Sequence, residues 1–121
     1  FVTGQPLFGH TTSTGNDPHL SFQLPASIAP GALTLEIKMK SEASGQGQVF
    51  WRGSGQPYGK EFSEVFDINH DGNDHKYSVD FSSTAAVSGI RIDPANGRGK
   101  IDILEVRLVD KEGETVHRWN F

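Results

Sequence analysis

The chain has 121 residues, a net charge of −4 and no cysteine. It is long enough for one core and too short for two, so residues 1–121 read as a single domain. The missing cysteines exclude a disulfide framework, a thiolate nucleophile and a zinc site built on thiolates. The scattered Lys and Arg of an acidic chain argue against nucleic acid and an anionic membrane surface, and no apolar run approaches the roughly 20 residues of a membrane-spanning helix.

The pattern along the chain has period two. Leu20-Ser21-Phe22-Gln23-Leu24 alternates apolar and polar residues, and Leu33 to Lys40 does so without a break. Shorter strands are predicted at Gln48–Arg52 and Phe62–Ile68, followed by alternating segments at Tyr77–Phe81 and Ile90–Asp93. In Ile101–Val109 the phase changes. Ile101 and Ile103 share one parity and Leu104, Val106 and Leu108 the other, which predicts a β-bulge at Leu104 or Glu105. Phe1–Phe8 and Val116–Phe121 are candidate edge strands. The connectors are built of turn formers, such as Thr14-Gly15-Asn16-Asp17-Pro18 and Asn69-His70-Asp71-Gly72-Asn73-Asp74. No segment of helical length carries an i, i+3, i+4 apolar stripe, and Thr84–Ser88 allows one turn at most. About eight short strands with regular turns predict an all-β, two-sheet antiparallel sandwich or barrel. Its predicted interior holds Leu20, Phe22, Leu35, Ile37, Tyr77, Val79, Ile90, Ile92, Val106 and Leu108.

The ordered set Gln48-Val49-Phe50-Trp51-Arg52, Phe62-Ser63-Glu64, Asp71-Gly72-Asn73-Asp74-His75, Tyr77 to Phe81, Gly89 to Pro94 and Ile101-Asp102-Ile103 resembles the galactose-binding-like jelly-roll domains appended to bacterial polysaccharide-active enzymes and sulfatases. Asn16-Asp17-Pro18-His19-Leu20 is similar to the first core strand of that family. The sequence departs from the family at Asp74, where a Trp is usual, and at Leu104-Glu105, where an Asp and an aromatic are common. The resemblance implies a jelly-roll sandwich that binds a polysaccharide or glycan. It implies a non-catalytic carbohydrate-binding module that needs no cofactor, joined to other domains of a secreted or cell-surface bacterial protein. The start at Phe1 fits a domain excised from a longer chain, and no signal peptide is visible. Some members hold a structural calcium ion, and the place where the fold tends to hold it points to Asp17 and Glu105. The alternative is a structural or protein-interaction sandwich that braces a catalytic neighbour.

Catalytic constellations are absent. There is no Gly-x-Ser-x-Gly, only the glycine-rich turn Arg52-Gly53-Ser54-Gly55. Glu61 and Glu64 are a carboxylate pair with no deep cleft to serve. His70 and His75 flank an acidic turn with Asp67, Asp71 and Asp74, which reads as a metal site or, more simply, as a solvated loop of Asx turns. An EF-hand is ruled out because no acid stands at the twelfth position, around Ser78.

Trp51 is the most informative residue. Neighbours on a strand point to opposite faces, so one of Phe50 and Trp51 must leave the core. If Trp51 does, its flat ring is a surface on which a sugar can stack; otherwise the second layer or a loop buries it. Arg52, Tyr58 and Arg91 are the polar partners expected at such a carbohydrate site, with Arg91 opposite the buried Ile90 and Ile92. Arg91 has a plainer alternative in a salt bridge to Glu36 or Asp80, and Trp119 reads as packing or as part of a junction with a neighbouring domain.

Overall fold

A computed structural model describes residues 10–13, 20–94 and 99–120. Nine strands run β1 (His10–Ser13), β2 (Leu20–Ile28), β3 (Gly31–Ser41), β4 (Gly47–Arg52), β5 (Ser63–Phe66), β6 (His75–Ser83), β7 (Val87–Asp93), β8 (Gly99–Asp110) and β9 (Thr115–Asn120). Among the described residues the one helical piece is a 3-10 turn at Lys60–Phe62, just before β5.

The strands form two antiparallel sheets. One has the order β1-β8-β3-β6, with β9 also on β8; the other has the order β2-β7-β4-β5. Apart from the β4–β5 and β8–β9 pairs, each strand is followed by one in the opposite sheet. This is the jelly-roll arrangement of a two-sheet sandwich. Pro25, which has no N–H to give a ladder, lies in β2 at the edge of its sheet, where the register with β7 shifts between Gln23 and Ile28.

The long alternating run of β3 explains the core. Leu33, Leu35, Ile37 and Met39 point inward and are buried, and Val79 and Phe81 of β6 and Val106 and Leu108 of β8 lie beside them. Val49 and Trp51 of β4 and Ile90 and Ile92 of β7 face them from the other sheet. Each fully buried Leu or Ile contributes about 1.5–3 kcal/mol by leaving water. The expected bulge in β8 is at Leu104. Lys38 pairs Glu105 and Met39 pairs Ile103, so Leu104 faces no partner. The extra residue turns the strand over, and Ile101, Ile103, Val106 and Leu108 can all be buried despite their opposite parities.

Seven of the ten expected core residues are buried. Phe22 and Tyr77 are corrections, since both are half-buried and pack against the core from its margin. Phe22 stacks on Trp119 at 4.5 Å, so Trp119 is packing. Tyr77 keeps its hydroxyl at the rim, where it accepts a hydrogen bond from the Asn69 N–H. The side chain of Leu20 and the whole of Phe1–Phe8 lie outside the described residues. The strand expected at Phe62–Ile68 is shorter. Phe62 N–H donates to the Gly59 carbonyl and the Ser63 hydroxyl to the Lys60 carbonyl, which closes a turn where a strand was expected to begin.

Candidate functional site

Strand β4 presents two different faces. Gly47, Val49 and Trp51 point into the sandwich, whereas Gln48, Phe50 and Arg52 point out. Trp51 therefore does not supply a ring on the open face, contrary to the first of the two sequence readings. It is 5% exposed and stacks on Phe81 across the core, with ring centroids 4.4 Å apart. Phe50 points to the outer face, yet it too is buried, 9% exposed, beneath Arg91, whose Cζ lies 5.1 Å from the ring centroid. The signal was available in the sequence: Phe50 shares its parity with the polar residues Gln48 and Arg52, whereas Trp51 shares its parity with Val49.

Beyond Arg52 the chain leaves the sheet and folds back over it. The Gln56 N–H donates to the Gly53 carbonyl, and Gly55 takes a positive φ of 74° that other residues rarely adopt. Arg52 Nη1 donates to the Gln56 carbonyl at 3.0 Å, and the guanidinium lies under the Tyr58 ring, 4.9 Å from its centroid. Both side chains rest on Gly89 of β7, which pairs with Arg52. A Cβ at Gly89 would lie 2.8 Å from Arg52 Nε and 2.8 Å from the Tyr58 hydroxyl, so the bare glycine makes room for both. A glycine inside a strand is itself a sign of such close approach, and Ser88-Gly89-Ile90 carried that sign unread.

Between this loop and the β6–β7 turn lies a cavity of about 420 Å³. That is within the roughly 300–1,000 Å³ of small-molecule sites. It is lined by Trp51, Arg52, Ser54, Gln56, Phe62 and Ser83, with the backbone of Gly53 and Ala85–Ala86 between them. Phe62 is 40% exposed, an uncovered aromatic ring at the rim. Sequence reasoning placed Phe62 in a strand and missed it.

Three buried side-chain atoms have no hydrogen-bond partner among the described residues: Trp51 Nε1, Arg52 Nε and the Tyr58 hydroxyl. A buried polar atom left unpaired costs about 1–3 kcal/mol, and such atoms are rare enough in native proteins to need a reason. All three belong to one stretch, residues 51–58. Of the four expected carbohydrate-site residues, Trp51 and Arg52 line the cavity, whereas Tyr58 packs on Arg52 over Gly89 and is not among the lining residues. The fourth, Arg91, faces outward on the same sheet and is held by Asp93, with Nε–Oδ1 at 2.8 Å and Nη2–Oδ2 at 3.1 Å. Its expected partners are engaged elsewhere: Asp80 accepts from the Thr34 hydroxyl, and Glu36 is paired with Arg107 and Lys76. Burial acts to raise the Glu36 pKa, but the hydrogen bonds and charges of Arg107 and Lys76 prevail and hold it below the usual carboxylate range.

Of the two residues expected at a calcium site, only Glu105 is among the described residues, and Asp17 lies outside them. Glu105 pairs with Arg118 at 3.4 Å and stands opposite Lys38, a cationic setting unsuited to a divalent cation. Among the described residues no group of three or more acidic or His side chains could hold a metal ion. His70 and His75 serve the loops instead. His70 Nε2 lies 2.7 Å from the Gly45 carbonyl and Nδ1 lies 2.7 Å from the Ser41 hydroxyl, while His75 Nε2 contacts the Asp71 carboxylate at 3.0 Å. The backbone N–H of Asn73 and then the His75 ring hold the Asp71 carboxyl below its ordinary pKa.

No family model matches the sequence, and no curated protein matches it. Solved structures do match. The carbohydrate-binding module of PbXyn10C, in its apo form, aligns with a TM-score of 0.64 at 17% identity, over 95% of this chain and 76% of that one. The carbohydrate-binding module CBM6cm-2 from Cellvibrio mixtus lichenase 5A, solved in complex with cellotriose, aligns with a TM-score of 0.53 at 16% identity, over 84% of this chain and 86% of that one. At these identities the agreement is one of backbone and speaks for no ligand contact. With its sheet order and its bulged β8, the chain has the two-sheet β-sandwich fold of carbohydrate-binding modules.

Proposed function

We propose that this chain is a non-catalytic carbohydrate-binding module whose sugar site is the cavity at the β4–β5 end of the sandwich. The observation that carries the reading is the cavity of about 420 Å³ itself, with Arg52, Ser54, Gln56 and Ser83 in its wall and the exposed Phe62 ring at its rim. A sugar is rich in oxygen acceptors, and its C–H faces suit an exposed ring such as Phe62. A protein of this fold was solved with cellotriose, which supports the class of ligand. Among the described residues no carboxylate lines the cavity, and Glu61 and Glu64 lie outside it, which favours binding over hydrolysis. Joined to a neighbouring domain in a secreted protein, such a module acts by raising that domain's local concentration on a polymer.

Affinity electrophoresis against a panel of neutral and acidic polysaccharides tests this. The chain is expected to be retarded by at least one polymer, and Phe62→Ala should weaken that retardation by roughly tenfold while leaving the melting temperature in place. Retardation by none of the panel would reject the reading in favour of a bracing or assembly role.

A further inference from the structure

We infer that the cavity is built for an acidic sugar, one bearing a carboxylate or a sulfate ester, with Arg52 as the residue that reads the anionic group. The inference rests on the carbohydrate-binding reading and narrows it. Its basis is the charge on the cavity wall. A guanidinium only donates, so it complements a group that only accepts, and a carboxylate or sulfate is such a group.

Among the described residues that line the cavity, Arg52 is the one charged side chain. Its contacts there are the Gln56 carbonyl and the Tyr58 ring, and among the described residues it has no carboxylate partner. The other described arginines are matched: Arg91 with Asp93, Arg107 with Glu36 and Arg118 with Glu105. A half-buried guanidinium without a counter-anion is held in place only at a cost. An anionic ligand supplies the missing charge, and its oxygens meet the planar fork of the guanidinium. The net charge of −4 would keep polyanions off the rest of the surface, so binding would report this site rather than general attraction.

The test is titration calorimetry at two salt concentrations with three soluble probes: a polyuronate, a sulfated polysaccharide and a neutral glucan. The expected result is binding of one acidic probe that weakens with added salt, with the neutral glucan at least about tenfold weaker. Which acidic probe binds separates a carboxylate from a sulfate. Arg52→Gln should cost roughly tenfold to a hundredfold in affinity, and Arg52→Lys, which keeps the charge but loses the fork, less. The preference of the wild type for an acidic over a neutral probe, and its salt dependence, keep the idea testable if Arg52→Gln folds poorly. Lys38→Gln, on the outer face of the other sheet, should bind as the wild type does. Equal binding of the glucan and the acidic probes, or full affinity in a folded Arg52→Gln, overturns the acidic-sugar inference and leaves carbohydrate binding standing. Failure of all three probes to bind overturns both.

Discussion

The two ends of the sandwich are both rich in polar loops, yet they differ in how those loops use their polar atoms. At the end formed by the β3–β4 and β5–β6 connections, groups satisfy one another. His70 ties Ser41 to the Gly45 carbonyl, the Ser41 hydroxyl also accepts from the Ala43 N–H, and the Gly72 N–H donates to the Ser41 carbonyl. Asp71 accepts from the Asn73 N–H and faces His75. At the opposite end, where β4 runs out and β7 begins, Trp51, Arg52 and Tyr58 are buried with hydrogen-bonding capacity left over. A similar contrast holds for the outer face of the β3 sheet. A depression of about 420 Å³ there is lined by Glu36, Lys38, Asp74, His75, Lys76 and Glu105, but most of those charges are already paired with one another or with neighbours. Clustered polar residues therefore do not by themselves mark a ligand site. What sets the other end apart is a cavity with an uncovered ring, Phe62, and a guanidinium, Arg52, that no described carboxylate pairs.

The contrast can be tested by substitutions, of which the largest effect is expected at Trp51. Trp51→Ala removes a ring stacked on Phe81 in the core and should destabilise the domain by about 3–5 kcal/mol in urea denaturation. A loss below about 1 kcal/mol would mean that the ring is not part of the core. Next comes His70→Ala at the satisfied end. It strips partners from the Ser41 hydroxyl, which is almost fully buried, and from the Gly45 carbonyl, and should cost about 1–3 kcal/mol. Polysaccharide affinity should not move; if it falls in a folded protein, the satisfied end takes part in binding after all.

Gly89→Ala should do the reverse. Its Cβ meets the flexible side chains of Arg52 and Tyr58 rather than backbone, so stability should change by less than about 1 kcal/mol while affinity drops about tenfold. Unchanged affinity would separate Arg52 and Tyr58 from the site. The smallest effect is electrostatic. The folded-state pKa of Asp71 lies below the ordinary value of 3.8, so its contribution to stability is complete above that value and fades as the pH falls through the folded one. Compared with Asp71→Asn, the wild type should be slightly more stable at neutral pH and lose that margin in acid. A difference that persists unchanged into strong acid would assign it to something other than the carboxylate charge.

Local patterns in the sequence carried much of this. Unbroken alternation in Leu33–Lys40 fixed which side chains of β3 are buried, and the parity change between Ile103 and Val106 located the bulge. Alternation also required one of Phe50 and Trp51 to face outward, although choosing between them needed the parity of Gln48 and Arg52 to be weighed as well. Sheet order was beyond periodicity, because nothing local says that β3 lies between β6 and β8; the resemblance implied a jelly roll but no strand order. The cavity was only partly legible. Arg52 and Tyr58 stood out by residue type, but the meeting of Phe62 with Ser83 and Ala85–Ala86 depends on a pairing of distant loops. Whether a donor is spent depends on three-dimensional neighbours, and no spacing rule contains that.

The sheet order has a kinetic consequence. β1 pairs with β8, β2 with β7 and β3 with both β6 and β8, and the Glu36–Arg107 contact closes a span of 71 residues. Chains whose contacts are mostly this distant fold in milliseconds to seconds, because loop entropy is lost before pairing returns it. The β4–β5 connection, which follows Arg52 and carries Tyr58 and Phe62, joins neighbouring strands and contributes little to that barrier. Lengthening or rewriting it costs only about 0.6 kcal/mol per doubling of loop length. The slow step of folding and the choice of ligand thus reside in different parts of the chain, and the tip can diverge while the rate at which the sandwich assembles stays nearly constant.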